Sequence, residues 1–289
     1  MTRHDYTLVD VFTDRRFGGN QLAVFRDGRG IADADMQAIA KELMISETTF
    51  VLPREKDGDH RVRIFTPGRE LQFAGHPTVG TAWVLSRGRD GTLRLELGVG
   101  TISVRVTGGF VEMDQPLPQF GGELPAEQLR PKLRAAIGDV LEHDAKAPYQ
   151  VVSCGNAFLL AAVDGLRGMR ALRVDQNALA ALLGEVGGMG LFVWTTETER
   201  PGSVVHGRMF PTGVGITEDP ATGSANGPLA AYLVRHGLAK AGERIVTEQG
   251  FEIGRPSFLY AHIDGSAERI SGVHVGGNVV AVGGGWFDL

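Results

Sequence analysis

Two stretches of the sequence, residues 73–82 and residues 215–227, place polar or ionisable side chains directly before an apolar helical segment. His76 precedes a proline in the first stretch, and Asp219 precedes a proline in the second. The first turn of a helix leaves backbone N–H groups unpaired, and the helix dipole favours anions at that end. Two such helix starts in one chain predict a site for a small carboxylated molecule.

A third ionisable group, Glu47, stands at the head of the apolar, β-branched segment formed by residues 48–52. A carboxylate among apolar neighbours has a raised pKa and can exchange protons with a substrate near neutral pH. The local sequence is also compatible with a solvated side chain at the mouth of a strand. Glu47 is therefore a candidate acid/base whose role depends on what lies around it.

The two helix starts could supply the remaining groups of a proton-transfer site. The helix dipole disfavours an imidazolium, so we expect His76 to be a neutral hydrogen-bond partner. Spacing alone equally allows His76 and Asp219 to act only as caps. Gly75, Gly223 and Ser224 could bring backbone N–H groups and one hydroxyl to a carboxylate, or the glycines could serve turn geometry.

The order of the predicted elements repeats along the chain. Pairing Gly19 with Gly155 and Thr78 with Thr222 gives offsets of 136 and 144 residues. Corresponding strand positions between these pairs have similar offsets and occur in the same order. Two copies of this length indicate two similar domains. We expect an N-terminal domain at residues 1–117, joined by a C-terminal strand at about residues 278–289, and a second domain at residues 126–277. Residues 116–125 are rich in turn formers and are the expected linker.

Helical periodicity and strand patterns define the elements of each half. Strands are predicted at residues 6–12, 22–25, 48–52, 61–65, 92–97, 101–106, 109–113, 149–153, 158–163, 190–194, 204–210, 258–263, 270–275 and 279–282. Helices are predicted after an N-cap at Asp33, at 77–87, at 129–141, after a cap at Asp175, and at 229–234. The helices at 77–87 and 229–234 carry few charges and should be buried nearly all round. The sequence thus predicts an α+β fold in which each domain is a strand-rich open barrel around a central helix, with the site in the cleft between the domains.

Composition excludes several classes of protein and site. The net charge of −5 gives no reason to expect nucleic acid. Cys154 is the only cysteine, so an internal disulfide, a multi-cysteine metal site and a two-cysteine racemase are excluded. Nucleotide-binding glycine motifs and the nucleophile elbow are absent, and we expect neither a metal nor another cofactor. Without an apolar run of membrane-spanning length, we expect no membrane partner and a cytoplasmic location.

Five sequence blocks, in order, resemble the phenazine biosynthesis-like (PhzF-like) family within the diaminopimelate epimerase fold. They occupy residues 10–13, 17–20, 46–50, 74–78 and 218–225. The resemblance implies a homodimeric isomerase that needs no cofactor or metal, similar to trans-2,3-dihydro-3-hydroxyanthranilate isomerase.

The same resemblance assigns roles to individual residues. Glu47 would lift a proton from a substrate carbon and redeliver it, and His76 and Asp219 would assist the transfer. The substrate would be bound by Ser46, Gly75, Gly223 and Ser224.

The sequence departs from its relatives at informative positions. Diaminopimelate epimerase has catalytic cysteines at its helix starts, whereas Ala74 and Pro220 stand here, so its two-thiol chemistry is not expected. Gln21 and Pro211 also depart from the family pattern and bear on substrate identity. Glu218 is expected to lie outside the cleft.

Two alternatives remain open at this point. One is an epimerase or racemase of another small carboxylate, with Glu47 and His76 as two one-sided bases. The other is a small-molecule-binding homologue that kept the cleft and lost turnover.

Overall fold

The computed structural model describes residues 1–143 and 147–289, which contain six α-helices and sixteen β-strands. The helices are α1 (Asp33–Leu43), α2 (Gly75–Ser86), α3 (Ala126–Ile137), α4 (Gly165–Ala171), α5 (Gln176–Val186) and α6 (Gly223–Arg235). The strands of the first half are β1 (Arg3–Val11), β2 (Asn20–Phe25), β3 (Glu47–Pro53), β4 (His60–Phe65), β5 (Glu70–Leu71), β6 (Gly91–Leu97), β7 (Gly100–Thr107) and β8 (Phe110–Gln115). The remaining strands are β9 (Gln119–Leu124), β10 (Tyr149–Ser153), β11 (Ala157–Ala162), β12 (Gly190–Thr195), β13 (Val205–Pro211), β14 (Ile245–Gln249), β15 (Ser257–Gly265) and β16 (Ile270–Asp288). None of these helices is long and apolar enough to cross a membrane.

The first half is a closed barrel with the strand order β1-β2-β3-β4-β6-β7-β8-β16, in which β16 returns to pair with β1. The sequence had predicted an open barrel and two separate strands in the last twenty residues. The predicted barrel is present but is closed in this half, and the two predicted strands are one, because residues 270–288 form a single continuous strand. Its beginning pairs with β8 and β15, and its end, from Val279 to Asp288, pairs with β1.

The second half continues the same sheet in the order β16-β15-β14-β13-β12-β11-β10-β9. In the described part of the chain β9 pairs only with β10, so this half remains open at that edge. The expected linker at residues 116–125 therefore contains an edge strand. Its Gly121-Gly122 pair hides the strand pattern, because glycine supplies no side chain to alternate.

The two halves repeat one plan, as the sequence predicted. In each, a parallel strand pair is connected through a helical crossover, with α1 between β2 and β3 and α5 between β11 and β12. We propose domain boundaries at residues 1–117 and 126–277, with residues 278–289 assigned to the first domain. The pairing of β16 with β1 supports that assignment.

Helices α2 and α6 run through the two halves and are buried on nearly every side. All residues from Gly223 to Val234 are buried, and α2 is buried from Gly75 to Ala82. An apolar surface all round requires sheet on all sides, which the barrels supply. The two central helices are therefore confirmed, although they begin at Gly75 and Gly223 rather than at the predicted residues 77 and 229.

Smaller differences lie at helix ends, where local signals are weakest. The N-cap of α1 is Ala32, so Asp33 is its first helical residue rather than its cap. Helix α3 ends at Ile137, four residues before the predicted end at 141, and its cap is Gly138. Helix α4 follows β11 and has no counterpart among the sequence predictions.

Candidate active site

The starts of the two central helices meet at the boundary between the halves. A Cβ atom placed on Gly75 would lie 2.6 Å from the carbonyl carbon of Gly223 and would also collide with the amide nitrogen of Ser224. Real side-chain atoms do not approach backbone so closely. Glycine at position 75 is therefore required for the two helix starts to share one space.

A small cavity of about 40 Å³ opens beside this contact and is lined by residues of both halves. Six of the seven predicted site residues line it: Glu47, Gly75, His76, Asp219, Gly223 and Ser224. Ser46 is buried next to Glu47 but does not belong to the lining. Most of the remaining wall is apolar and comprises Leu71, Ala74, Phe158, Met189, Met209, Pro211, Val214 and Ile216. The cavity therefore combines a few polar groups with an apolar wall, as small-molecule sites do.

His76 is buried and held at both ring nitrogens. The Asn20 amide nitrogen lies 3.1 Å from His76 Nδ1, and His76 Nε2 lies 3.2 Å from the backbone carbonyl oxygen of Gln21. An amide NH₂ can only donate, so Nδ1 accepts and the proton of the neutral ring belongs on Nε2. Burial lowers the pKa of His76 to about 3, which keeps the imidazole neutral. The expectation of a neutral His76 agrees with this environment.

Asp219 receives hydrogen bonds at both carboxylate oxygens. Asn20 Nδ2 donates to Oδ1 at 2.7 Å, and Thr222 Oγ1 donates to Oδ2 at 2.6 Å. Gln249 Nε2 in turn donates to Thr222 Oγ1 at 2.9 Å, which directs the threonine hydroxyl hydrogen toward Asp219. Two donors and no acceptor favour the ionised form of Asp219, although burial raises its pKa to about 6.

Glu47 has the opposite environment. It begins β3, its side chain is 12% exposed, and its Oε2 lies 3.2 Å from His76 Nε2. That oxygen makes no hydrogen bond to any described residue. Burial, and then the negative charge of Asp219, raise the pKa of Glu47 well above its usual range.

The two carboxylates are therefore divided by their surroundings. Asp219 has donors that stabilise its charge, whereas Glu47 has an apolar setting that favours its neutral form. Such a pair lets one carboxyl group hold a proton near neutral pH while the other stays anionic. The arrangement can store one proton next to a small ligand.

Three positioning residues have no assigned role in the sequence prediction. Asn20 connects His76 and Asp219, and its Nδ2 also lies 2.9 Å from the backbone oxygen of Ala221, so its two N–H groups are shared among three acceptors. The sequence did contain a signal for Asn20, because a Gly-Asn pair occurs at residues 19–20 and again at residues 155–156. Turn formation explained both pairs equally well. Thr222 lies inside a recognised block, whereas nothing local distinguishes Gln249.

The two departures from the family pattern lie at the site. Gln21 acts on His76 through its backbone oxygen, an atom that every residue type carries. Pro211 ends β13 and forms part of the cavity wall. Glu218, by contrast, is held by Arg208 at 2.7 Å and lies outside the lining, in agreement with the prediction for Glu218.

We also considered the candidate metal ligands and the single cysteine, Cys154. Within residues 1–143 and 147–289, no group of three or more His, Cys, Asp or Glu side chains could hold a metal ion. Cys154 is fully buried, and burial raises the pKa of its thiol to about 12. It is therefore a core residue with little thiolate character.

Comparison with known proteins gives one consistent result. A family model described as phenazine biosynthesis-like protein matches residues 9–285. The trans-2,3-dihydro-3-hydroxyanthranilate isomerase of Pseudomonas fluorescens is 38% identical over 286 residues, which cover 97% of this chain and 98% of that protein. The crystal structure of a PhzF-family phenazine biosynthesis protein from Bacillus anthracis covers all of both chains with a TM-score of 0.87 and 27% identity. A predicted epimerase from Pseudomonas aeruginosa gives a TM-score of 0.85 and 34% identity, with 98% and 99% of the two chains covered.

Proposed function

The chain belongs to the phenazine biosynthesis-like family and is an isomerase, and from this premise we propose that Glu47 moves a proton between two carbons of a small carboxylated substrate. The observation that carries the proposal is the contrast between Glu47 and Asp219. Glu47 faces the cavity without a hydrogen bond to Oε2, whereas both oxygens of Asp219 are occupied. Glu47 is thus the carboxylate free to reach substrate.

The reaction consists of one proton transfer in each direction. Ionised Glu47 accepts a proton from a substrate carbon, and the electron pair of that C–H bond moves into the adjoining unsaturated system. Glu47 then returns the proton to a different carbon, which shifts the double bond and conserves every atom. A raised pKa makes the carboxylate a stronger base toward carbon than an ordinary surface glutamate.

The neighbouring groups orient the substrate and balance charge. His76 carries its proton on Nε2, 3.2 Å from Glu47, and can donate to a polar substituent next to the reacting carbon. Asp219 supplies a fixed negative charge that can accept from a substrate hydroxyl or amine. We assign the substrate carboxylate to the N–H groups of Gly75, Gly223 and Ser224 at the two helix starts. Ser46, which lies behind the lining, would act through its neighbour Glu47.

The substrate class follows from the relatives and from the cavity wall. A relative 38% identical to this chain is named trans-2,3-dihydro-3-hydroxyanthranilate isomerase, so we propose a cyclic, unsaturated carboxylate of that kind. The cavity of about 40 Å³ holds only a few water molecules. A six-membered ring is larger than this space, so we propose that the cavity widens when such a substrate binds.

Family membership also supports a cytoplasmic homodimer that works without a cofactor or metal. An epimerase with two one-sided bases fits the site less well, since His76 Nδ1 is occupied by Asn20 and Nε2 carries the proton. The stereochemistry and double-bond position of the product separate the two reactions. A positional shift supports the proposal, and inversion at one carbon supports the epimerase.

Replacing Glu47 by Gln tests the proposal, because it keeps the shape of the side chain and removes the base. With a cyclic carboxylated substrate in D₂O, the wild-type enzyme should exchange substrate C–H for deuterium. Removal of a general base lowers such a rate by roughly 100- to 10,000-fold. Glu42→Gln, at an exposed position of α1, is the matched control and should exchange normally. Exchange by Glu47→Gln at the wild-type rate would refute this mechanism.

A further inference from the structure

One segment of the second half crosses the boundary between the halves and contacts the loop that precedes Asn20. We name residues 250–257, which connect β14 to the first residue of β15, the crossing segment. Gly250 and Gly254 adopt left-handed backbone conformations at either end of its short 3₁₀ turn. The segment is close to the site, since the hydroxyl of Ser257 donates to the backbone oxygen of Pro220 at 3.1 Å.

Arg255 extends from this segment into the first half. Its guanidinium donates to the carboxylate of Asp10 at 2.6 Å, to the backbone oxygen of Gly18 at 2.7 Å and to that of Gly19 at 2.7 Å. The backbone adds a fourth link, because Gly19 N–H donates to Pro256 oxygen at 3.2 Å. One side chain thus satisfies three acceptors on the partner half, a pattern that arginine's fixed fork of donors permits.

Asp10 is the buried counterpart of Arg255. Its side chain is 3% exposed, and its carboxylate uses both oxygens, one for Arg255 and the other for the backbone N–H of Phe17 at 2.6 Å. Phe12 and Phe17 both have positive φ angles, of 66° and 68°, which non-glycine residues rarely adopt. Such backbone persists only where surrounding contacts enforce it. Asp10 and Arg255 supply such contacts at Phe17, Gly18 and Gly19, whereas the backbone of Phe12 is bonded to Asn278 and Phe258.

The residue that follows this loop is Asn20, which bonds both His76 and Asp219. We propose that Asp10 and Arg255 form a latch between the two halves that positions Asn20, and through it fixes the tautomer of His76 and the charge on Asp219. The latch residues touch no cavity group, so they are positioning residues. The inference rests on the proposed roles of Glu47, His76 and Asp219.

Arg255→Gln is the primary variant, because glutamine keeps an amide donor but cannot serve three acceptors. Displacement of a catalytic group from a distance can cost up to about 100-fold in rate. We expect kcat to fall roughly 10- to 100-fold with little change in KM. Arg16→Gln, in the same loop, is the matched control. Arg16 is exposed and donates only to the backbone oxygen of Ala281, so its loss should leave kcat unchanged.

A second readout separates positioning from general destabilisation. The ¹⁵N chemical shifts of His76 report which ring nitrogen carries the proton. The wild-type protein should show the Nε2–H tautomer alone, whereas Arg255→Gln should show a mixture. A reduced kcat with an unchanged His76 tautomer would overturn the proposal, as would wild-type kcat. This readout needs no turnover, so it still tests the latch if Glu47→Gln were to disprove the proposed chemistry.

Asp10→Asn provides an independent route if Arg255→Gln fails to fold. Asparagine keeps an acceptor for Phe17 N–H while removing the charge that pairs with Arg255. It should give the same mixture of His76 tautomers and a similar loss of kcat. Where both single variants fold, the double variant should lose no more kcat than either single variant, because either substitution alone already breaks the latch. Fully additive losses would show that the two residues act separately and would reject the latch.

Discussion

The side-chain amide of Asn20 donates a 2.7 Å hydrogen bond to Asp219, a residue 199 positions further along the chain. The same nitrogen lies 3.1 Å from His76 Nδ1. One amide at the start of β2 therefore connects the beginnings of both central helices. This contact joins His76 and Asp219, candidate groups from the two halves, and its hydrogen bond acts against the burial that raises the pKa of Asp219.

Removal of the connecting amide should impair catalysis far more than folding. A hydrogen bond to a charged group contributes about 1.5–3 kcal/mol, so Asn20→Ala should lower kcat by roughly 10- to 100-fold. The matched control is Asn177→Ala, because Asn177 lies at an exposed position of α5 and outside the cavity lining. Steady-state kinetics of both alanine variants check the prediction. Equal losses at the two positions would contradict it.

The charge of Asp219 should be visible in the pH dependence of the rate. Burial and then this charge raise the pKa of Glu47, and Glu47 must be ionised to act as a base. The value of kcat/KM should therefore rise as pH increases through the pKa of Glu47. Asp219→Asn removes the charge and lowers that pKa, so the rising limb should move to lower pH. Asp35→Asn, at an exposed position of α1, should leave the limb in place, and an unmoved limb in Asp219→Asn would count against the coupling.

Stability should change with pH in the opposite sense to activity. Folding raises the pKa of Glu47 above its ordinary value of 4.5. Below that ordinary value the group is protonated in both the folded and the unfolded protein, so it does not lower the free energy of unfolding. As pH rises from that ordinary pKa toward the pKa of the folded protein, the free energy of unfolding falls by about 1.4 kcal/mol for each pH unit. Glu47→Gln removes this cost, so it should be more stable than wild type at pH 8 and similar to it at pH 4.

Denaturant unfolding of wild type, Glu47→Gln and Glu42→Gln at both pH values measures the effect. The Glu42 variant should follow wild type throughout, since that side chain is exposed. A stability difference between wild type and Glu47→Gln that is the same at pH 4 and pH 8 would show that ionisation of Glu47 does not oppose folding.

The contact between the helix starts should not tolerate a side chain. A Cβ atom at Gly75 would lie 2.6 Å from backbone of Gly223, so Gly75→Ala must push the two helices apart. We expect a loss of stability in the range of about 1–3 kcal/mol for overpacking and a larger loss of activity. In α5, a Cβ atom at Gly184 meets nothing within 4 Å. Gly184→Ala should therefore unfold no earlier than wild type in a thermal melt, and an equally harmless Gly75→Ala would disprove the close approach.

Local sequence patterns were sufficient for the general plan of the molecule. The repeat of strand and helix patterns indicated two similar halves, and the lack of charges in α2 and α6 indicated helices surrounded by sheet. The helix-start blocks pointed to His76, Asp219 and their glycines, and Glu47 stood out as a carboxylate in an apolar strand. These features depend on residues within a few positions of one another, where periodicity and helix-end chemistry act.

The tertiary structure alone decided how these parts combine. The sequence placed a C-terminal strand in the first domain, but it did not predict closure of the barrel by one strand from residue 270 to residue 288, because the Gly276-Gly277 pair interrupts the strand pattern of β16. The links from Asn20 to Asp219 and from Arg255 to Asp10 join residues more than 190 positions apart. Such contacts arise from the packing of one half against the other, which no local pattern encodes. For that reason the sequence identified the acid/base candidates, whereas only the folded structure showed how their surroundings differ.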